Sequence, residues 1–341
     1  MPDTMRAVQV SKPGGEFELV AREVPRPGPG EALVRVHACG VCHSDLFAKE
    51  GGYPGVSHPL VPGHEIAGEI AALGDGVKGW EIGQHVGVGW FGGNCGYCEW
   101  CRRGSLIDCE NMEIPGVTVD GGYADYVVVR ATGLASMPDE LSAEEAAPLL
   151  CAGITTFNAL RRSSARGGDR VAVLGVGGLG HLAVQFAVKL GFETIAVARG
   201  AEKEPLARKL GAHHYIDSTA GDPAQALLAL GGADLILSTV TSSDAMAALF
   251  GGLRPNGTLL VVGASMEPIA VPAAMLIGGS KTITGHASGT ARDSEDTLNF
   301  SVLSGVRPMI ETMPLESAAQ AYEKMMSGDA RFRMVLSIGA A

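Results

Sequence analysis

Four of the seven cysteines crowd into one stretch. Cys95, Cys98 and Cys101 lie in the run Gly92-Gly-Asn-Cys-Gly-Tyr-Cys-Glu-Trp-Cys, and Cys109 follows after seven intervening residues. The C-x2-C-x2-C spacing lets one loop wrap three thiolates around an ion, and the fourth completes the tetrahedral shell of soft donors that zinc takes. With four protein donors no position remains for a substrate, so such a site braces the fold. Two disulfides or free thiols are the bland alternatives, but three cysteines this close meet disulfide geometry poorly. An iron–sulfur cluster is a further rival, and the ferredoxin-type spacing with its proline is missing.

A second cluster is Gly175-Val-Gly-Gly-Leu-Gly180, a G-x-G-x-x-G pattern that follows a short apolar run and opens a helical one. In that context Gly175, Gly177, Gly178, Leu179 and Gly180 form a tight turn whose helix N-terminus offers free N–H groups to a dinucleotide pyrophosphate. The next apolar run ends at Ala198-Arg199-Gly200, where an NAD site usually carries Asp or Glu for the ribose hydroxyls. Arg199 and Lys203 instead suit a 2′-phosphate and weigh toward NADP over NAD, while Glu202 and Glu204 blur the field. Thr241 and Gly263, at the ends of later runs, are further candidate cofactor contacts.

These groups need elements to hold them. At ~150 residues per domain, 341 residues make about two domains. Residues 1–150 read as strands among Gly-rich turns: 32–37 alternates apolar and polar, 83–89 and 123–129 are further short strands, and 25–30 is a Pro-rich turn. This half is expected to be an all-β, partly closed barrel. Beyond Cys151, apolar runs at 170–175, 194–198, 215–217, 233–238, 257–263 and 281–285 alternate with helical segments. Leu179, Leu182, Phe186 and Leu190 recur at helical spacing, with Gly191 closing that helix. The alternation is the βαβ signature of a doubly wound parallel sheet. The tail from about residue 288 is helical, then strand-like at 333–337.

Composition narrows the function. A formal net charge of −11 opposes nucleic-acid binding, which needs a basic face. No run of about 18 apolar residues marks a membrane span. Residues 1–10 carry Asp3 and Arg6 and no apolar core, so no secretory leader is expected. Seven cysteines in that setting point to a reducing, cytoplasmic compartment.

The strings Cys39-Gly-Val-Cys-His-Ser-Asp45, Pro62-Gly-His-Glu-Ile-Ala-Gly68, the four-cysteine loop and Leu150-Cys-Ala-Gly-Ile-Thr-Thr156 occur in that order. Together they resemble the zinc-dependent medium-chain alcohol dehydrogenases, over essentially the whole chain. The resemblance implies a GroES-like catalytic domain, 1–150 with 289–341, carrying two zinc sites. It also implies a Rossmann dinucleotide-binding domain at 151–288 and an active site in the cleft between the two. Cys42, His64 and Cys151 match the catalytic zinc ligands, and Cys39 has no ligand role. Asp45 matches the carboxylate that orients the ligand imidazole. Glu65 matches a carboxylate that can approach the metal during ligand exchange. Ser44 matches the hydroxyl bonded to the substrate oxygen. His43 matches a pyrophosphate contact and Thr155 a nicotinamide contact. Trp90 matches a substrate-pocket aromatic, with Tyr53 beside it. Where many relatives end the proton relay on histidine, this chain has Phe47. The implied activity is hydride transfer between a nicotinamide and an alcohol/aldehyde pair; a polyol or secondary-alcohol dehydrogenase is the alternative. A homodimer or homotetramer is expected, with the apolar strands at 257–262 and 281–285 offered as edges.

Overall fold

Residues Glu31–Val41 are mostly apolar, broken only by Arg35 and His37 after the opening Glu31, and in the computed structural model, which describes residues 2–339, they form the longest strand among the described residues. One edge of this strand pairs antiparallel with Ile66–Leu73. The other edge is shared: residues 31–35 pair with Tyr126–Arg130 and residues 38–41 with Arg333–Ser337. The sheet continues from Ile66–Leu73 to His85–Val88 and Ala135–Ser136, and from Arg333–Ser337 to Ile310–Pro314. Its pairing path stays open among the described residues. A hairpin of Thr4–Val10 and Phe17–Glu23 forms a separate two-stranded sheet. Val34, Val36, Ile66, Ile70, Val86, Val88, Tyr123, Met334 and Leu336 fill the core. The tail strand therefore joins the sheet of the N-terminal half, and the chain divides into a unit that runs to Cys151 and resumes at Gly289, and a second unit, Ala152–Ser288.

One close approach in the first unit decides where Cys151 stands. Gly87 lies inside His85–Val88 and Gly89 just beyond it. A Cβ at Gly87 would stand 2.6 Å from the Leu150 side chain, and one at Gly89 2.4 Å from the Leu150 carbonyl oxygen. Glycine in a strand commonly marks another backbone coming near, and here it is the single π-helical turn Leu149–Gly153. The preceding helix Ala143–Pro148 is fixed by a capping box between Ser142 and Glu145.

The second unit is a six-stranded, wholly parallel sheet in the order His214–Asp217, Glu193–Ala198, Arg170–Leu174, Ala233–Ser238, Leu253–Val261, Thr282–Gly285. Numbered along the chain this is 3-2-1-4-5-6, the doubly wound order whose direction reverses between the first and fourth strands. Asp222 caps the helix Pro223–Ala229 and Ser242 caps Ser243–Phe250. Gly191, at φ +85°, ends the helix Gly180–Lys189. The strand expected at 257–263 begins earlier, at Leu253, and passes through Asn256 at φ +64°. It is also no edge: both its sides are paired, so the interface reading of residues 257–262 is corrected. Thr282–Gly285 alone keeps a free edge on that side.

Phe250 is fully buried among Ile195, Ile236, Met246 and Leu259. Phe250→Ala should cost about 3–5 kcal/mol, checked by the urea midpoint of the purified protein.

Candidate active site and metal centres

Cys42 stands just past the strand Glu31–Val41, while His64 and Glu65 directly precede its neighbour Ile66–Leu73. Cys151 comes from the π-helical turn laid on the adjacent strand. These elements bring one donor atom each from Cys42, His64, Glu65 and Cys151 within 4.8 Å of one another. The Cys42 and Cys151 sulfurs are 3.8 Å apart. Asp45, the first residue of the helix Asp45–Glu50, lies behind His64. Its Oδ2 accepts from the Cys42 backbone N–H at 2.9 Å and from the Tyr123 hydroxyl at 2.8 Å, and its Oδ1 is 3.2 Å from His64 Nδ1. Gly63, at φ +100°, makes the turn into His64, and a Cβ there would meet the Tyr123 ring at 2.4 Å. Only glycine satisfies both demands. Cys39 is fully buried at the same spot, beside Gly63, and reaches no donor cluster.

Electrostatics define what the cluster wants. The hydrogen bond from Cys151 pulls Cys42 well below an ordinary thiol and raises Cys151 in turn. With the Cys151 thiol donating to the Cys42 thiolate at 3.8 Å, a second thiolate in this interior would need a cation between the two sulfurs. Burial works against a charged His64, but the Cys42 thiolate and the Asp45 carboxylate outweigh it and raise the imidazole. Burial lifts Glu65 to about 7, against the pull of Arg333. Arg333 is 4% exposed and hydrogen-bonds Glu65 Oε1. Both His64 ring nitrogens, Asp45 Oδ1 and Glu65 Oε2 are buried without hydrogen-bond partners, the His64 Nδ1–Asp45 Oδ1 approach being a close ionic contact. Two sulfurs, one imidazole nitrogen whose ring partner is oriented by a carboxylate, and surplus buried acid are a donor set that fits a zinc ion.

Beside His64 stands a half-buried aromatic wall. Trp90 is edge-on to the His64 ring at 5.2 Å, and Tyr53 lies 5.7 Å from Trp90 and 5.3 Å from Phe47. Ser44 leads into the helix Asp45–Glu50 but its hydroxyl makes no cap bond. His43 is exposed.

The four loop cysteines also converge, their sulfurs all within 4.8 Å, and no cysteine of the chain is in a disulfide. Against burial, N–H donors of Tyr97, Asn111 and Cys98 hold Cys95 down at about 6, while burial foremost pushes Cys109 up to about 11.

In the second unit Gly175 follows the first strand of the sheet at its reversal point. Thr239 holds the turn by donating to the Leu174 and Gly175 carbonyls at 3.0 and 3.3 Å. A Cβ on Gly180 would stand 1.9 Å from the Gly175 carbonyl oxygen, whereas one on Gly177 would face open space. Gly178 and Leu179 are half-buried in the same turn, and the helix Gly180–Lys189 begins without a side-chain cap. A tight turn, a bare helix start and an open face at Gly177 fit a pyrophosphate. Arg199 is exposed at the end of Glu193–Ala198, with Lys203 half-buried four residues on. The Glu202 carboxylate covers Gly200, coming within 2.1 Å of where a Cβ would be. Thr155 is half-buried and Thr241 exposed, while Gly263 packs against the Val240 carbonyl.

Family comparison agrees with this geometry. The Alcohol dehydrogenase GroES-like domain matches residues 28–139 and the Zinc-binding dehydrogenase family matches 178–302. Alcohol dehydrogenase patD of Penicillium expansum is 42% identical over 337 residues, 99% of this chain and 98% of its own. The chain belongs to the zinc-type medium-chain alcohol dehydrogenase family. Among solved structures, a cinnamyl alcohol dehydrogenase of Sorghum bicolor superposes with a TM-score of 0.89 at 30% identity over 98% of each chain. CAD from Helicobacter pylori complexed with NADP(H) gives 0.86 at 28% over 99% of each. As a medium-chain alcohol dehydrogenase the protein has a GroES-like fold and a Rossmann sheet. It catalyses nicotinamide-dependent interconversion of small alcohols and aldehydes with zinc.

Two residues of the dehydrogenase site went unnoticed in the sequence. Arg333 carried one faint signal, a charge opening an otherwise apolar strand. Tyr123 carried none, since a strand-start aromatic is ordinary core. Gly89→Ala, which displaces the Cys151 turn, and Tyr123→Phe, which removes a donor from Asp45, should each weaken zinc binding by the Cys42 cluster at least about tenfold. Equilibrium dialysis against zinc buffers measures this.

Proposed function

We propose that this dehydrogenase prefers NADP to NAD, carries two zinc ions per chain and works on primary alcohol/aldehyde pairs. The first unit is its catalytic domain with both zincs, and the second binds the dinucleotide. The observation that carries the reading is the meeting of Cys42, His64 and Cys151 with Asp45 behind the imidazole. When bound, zinc polarises the alcohol or carbonyl oxygen and the nicotinamide exchanges the hydride.

This chain's own residues do the rest. Cys42, His64 and Cys151 hold the catalytic metal. Asp45, itself held by the Cys42 N–H and the Tyr123 hydroxyl, keeps His64 Nδ1 occupied and leaves Nε2 for the ion. Glu65, tied to Arg333, is the carboxylate available when ligands exchange. Ser44 takes the hydrogen bond of the substrate hydroxyl and holds its proton. Phe47 has no proton to pass on, so the proton's exit does not run through that side chain. Phe47, Tyr53 and Trp90 offer apolar ring faces to the carbon chain of the substrate and keep water from it. Cys95, Cys98, Cys101 and Cys109 hold the bracing zinc.

In the second unit, Gly175, Gly177, Gly178, Leu179 and Gly180 cradle the pyrophosphate, and Thr155, Thr241 and Gly263 serve the nicotinamide end; His43 of the first unit is a further pyrophosphate contact on the family pattern. Arg199 and Lys203 receive the 2′-phosphate. The Glu202 carboxylate over Gly200 favours the second reading, NAD, because it could accept from ribose hydroxyls. The free edge Thr282–Gly285 supports pairing with a second copy, giving a homodimer or homotetramer. Among the described residues no helix is long and apolar enough to cross a membrane, and seven free thiols suit the cytoplasm.

Initial rates with NADPH and NADH on one simple aromatic aldehyde test the reading. NADPH should be faster, and Arg199→Ala should reduce that preference about tenfold or more. NADH preference in the native enzyme returns the site to NAD. Cys42→Ser and His64→Ala should abolish turnover with the circular dichroism unchanged; normal turnover in either would overturn the catalytic zinc assignment. Activity confined to polyols would select the alternative substrate class.

A further inference from the structure

The four sulfurs of the cysteine loop are not equally covered. Cys98 and Cys109 are buried, at 7% exposure each, whereas Cys95 and Cys101 are half-exposed. Each of the two accessible sulfurs receives a side-chain carboxamide. Asn111 Nδ2 donates to Cys95 Sγ at 3.4 Å, and Asn94 Nδ2 donates to Cys101 Sγ at 3.6 Å. The two asparagines bracket the quartet, one immediately before Cys95 and the other two residues after Cys109. Both are moored to one short segment of chain. The Asn94 N–H donates to Thr132 Oγ1 at 3.2 Å, and Arg130 donates to the Asn111 carbonyl at 2.8 Å. Arg130 also pairs with Glu113, two residues further along the loop.

Four thiolates around a dication carry two surplus negative charges, and that charge resides on sulfur. A sulfur open to solvent is where a proton, an electrophile or an oxidant attacks first. A hydrogen bond to a charged acceptor draws off electron density and occupies the approach to it. Buried sulfurs are shielded by the fold itself, so donors are needed where exposure remains, and that is where the asparagines stand.

We propose that Asn94 and Asn111 are metal-retaining residues, carboxamide donors that shield the two accessible thiolates of the loop and so slow loss of its zinc. The proposal rests on the loop holding zinc and is independent of the reaction at Cys42, His64 and Cys151.

The test follows zinc release from the native two-zinc enzyme into a chromogenic chelator at neutral pH, with and without iodoacetamide. The phase that does not track loss of turnover reports the loop. Asn111→Leu and Asn94→Leu should each speed that phase about tenfold. Asn111→Asp, nearly the same shape with no donor and an added charge, should speed it at least as much. In every variant the phase that tracks turnover stays unchanged. Unaltered loop release in all three variants would overturn the proposal while leaving the zinc site standing. A slowed or unchanged phase in Asn111→Asp beside a fast one in Asn111→Leu would assign the effect to packing and also overturn it. A native protein with only one zinc per chain would overturn both the loop reading and this inference.

Discussion

Too much acid is buried in one place. Cys42, Asp45, Glu65 and Cys151 lie within reach of a single imidazole and a single guanidinium, beside a core built mainly of Val, Ile, Leu and Ala. Unpaired charge there costs several kcal/mol per group, so the fold around the cluster is arranged to limit the damage. Tyr123 and the Cys42 amide satisfy Asp45, Arg333 answers Glu65, and the remaining demand falls on a dication. Much of the first unit can be read as the means of assembling that balance: a long strand with two partners on one edge, and glycines that let the Cys151 turn lie on the sheet.

The sequence made the chemistry of this dehydrogenase plainer than its shape. Cysteine spacing marked the loop of Cys95 to Cys109 because all four donors are local in the chain. The G-x-G-x-x-G turn was legible because its helix and strand adjoin it. The catalytic cluster was different. Cys42, His64 and Cys151 are separated by long stretches, and no periodicity connects them; only likeness to the family did so. Arg333 and Tyr123 escaped because each acts through one tertiary contact, and a single contact leaves no repeat to detect. The strand at 253–261 was misjudged as an edge for a related reason: strand order in a parallel sheet depends on crossovers, not on the residues of the strand itself.

The two donor clusters show opposite ways of surrounding their sulfurs. At the Cys42 cluster, charge is balanced by groups drawn from the far ends of the unit, with Cys42 buried and Cys151 half-buried. In the loop, two sulfurs are buried and the two half-exposed ones are each covered by an asparagine of the loop itself. The first arrangement leaves room for ligand exchange beside Glu65. The second offers no such opening.

The Glu65–Arg333 pair joins residues 268 positions apart, while the loop sulfurs of Cys95 and Cys109 are only 14 apart. Closing a short loop is entropically cheap and closing a long one comes late. On a ribosome the four loop cysteines can therefore meet soon after residue 109 emerges. The Cys42 cluster must wait for residue 333 before its Glu65 carboxylate has a counter-charge. Closure of the two clusters is thus ordered by the chain: the loop quartet first, the Cys42 group with its guanidinium last.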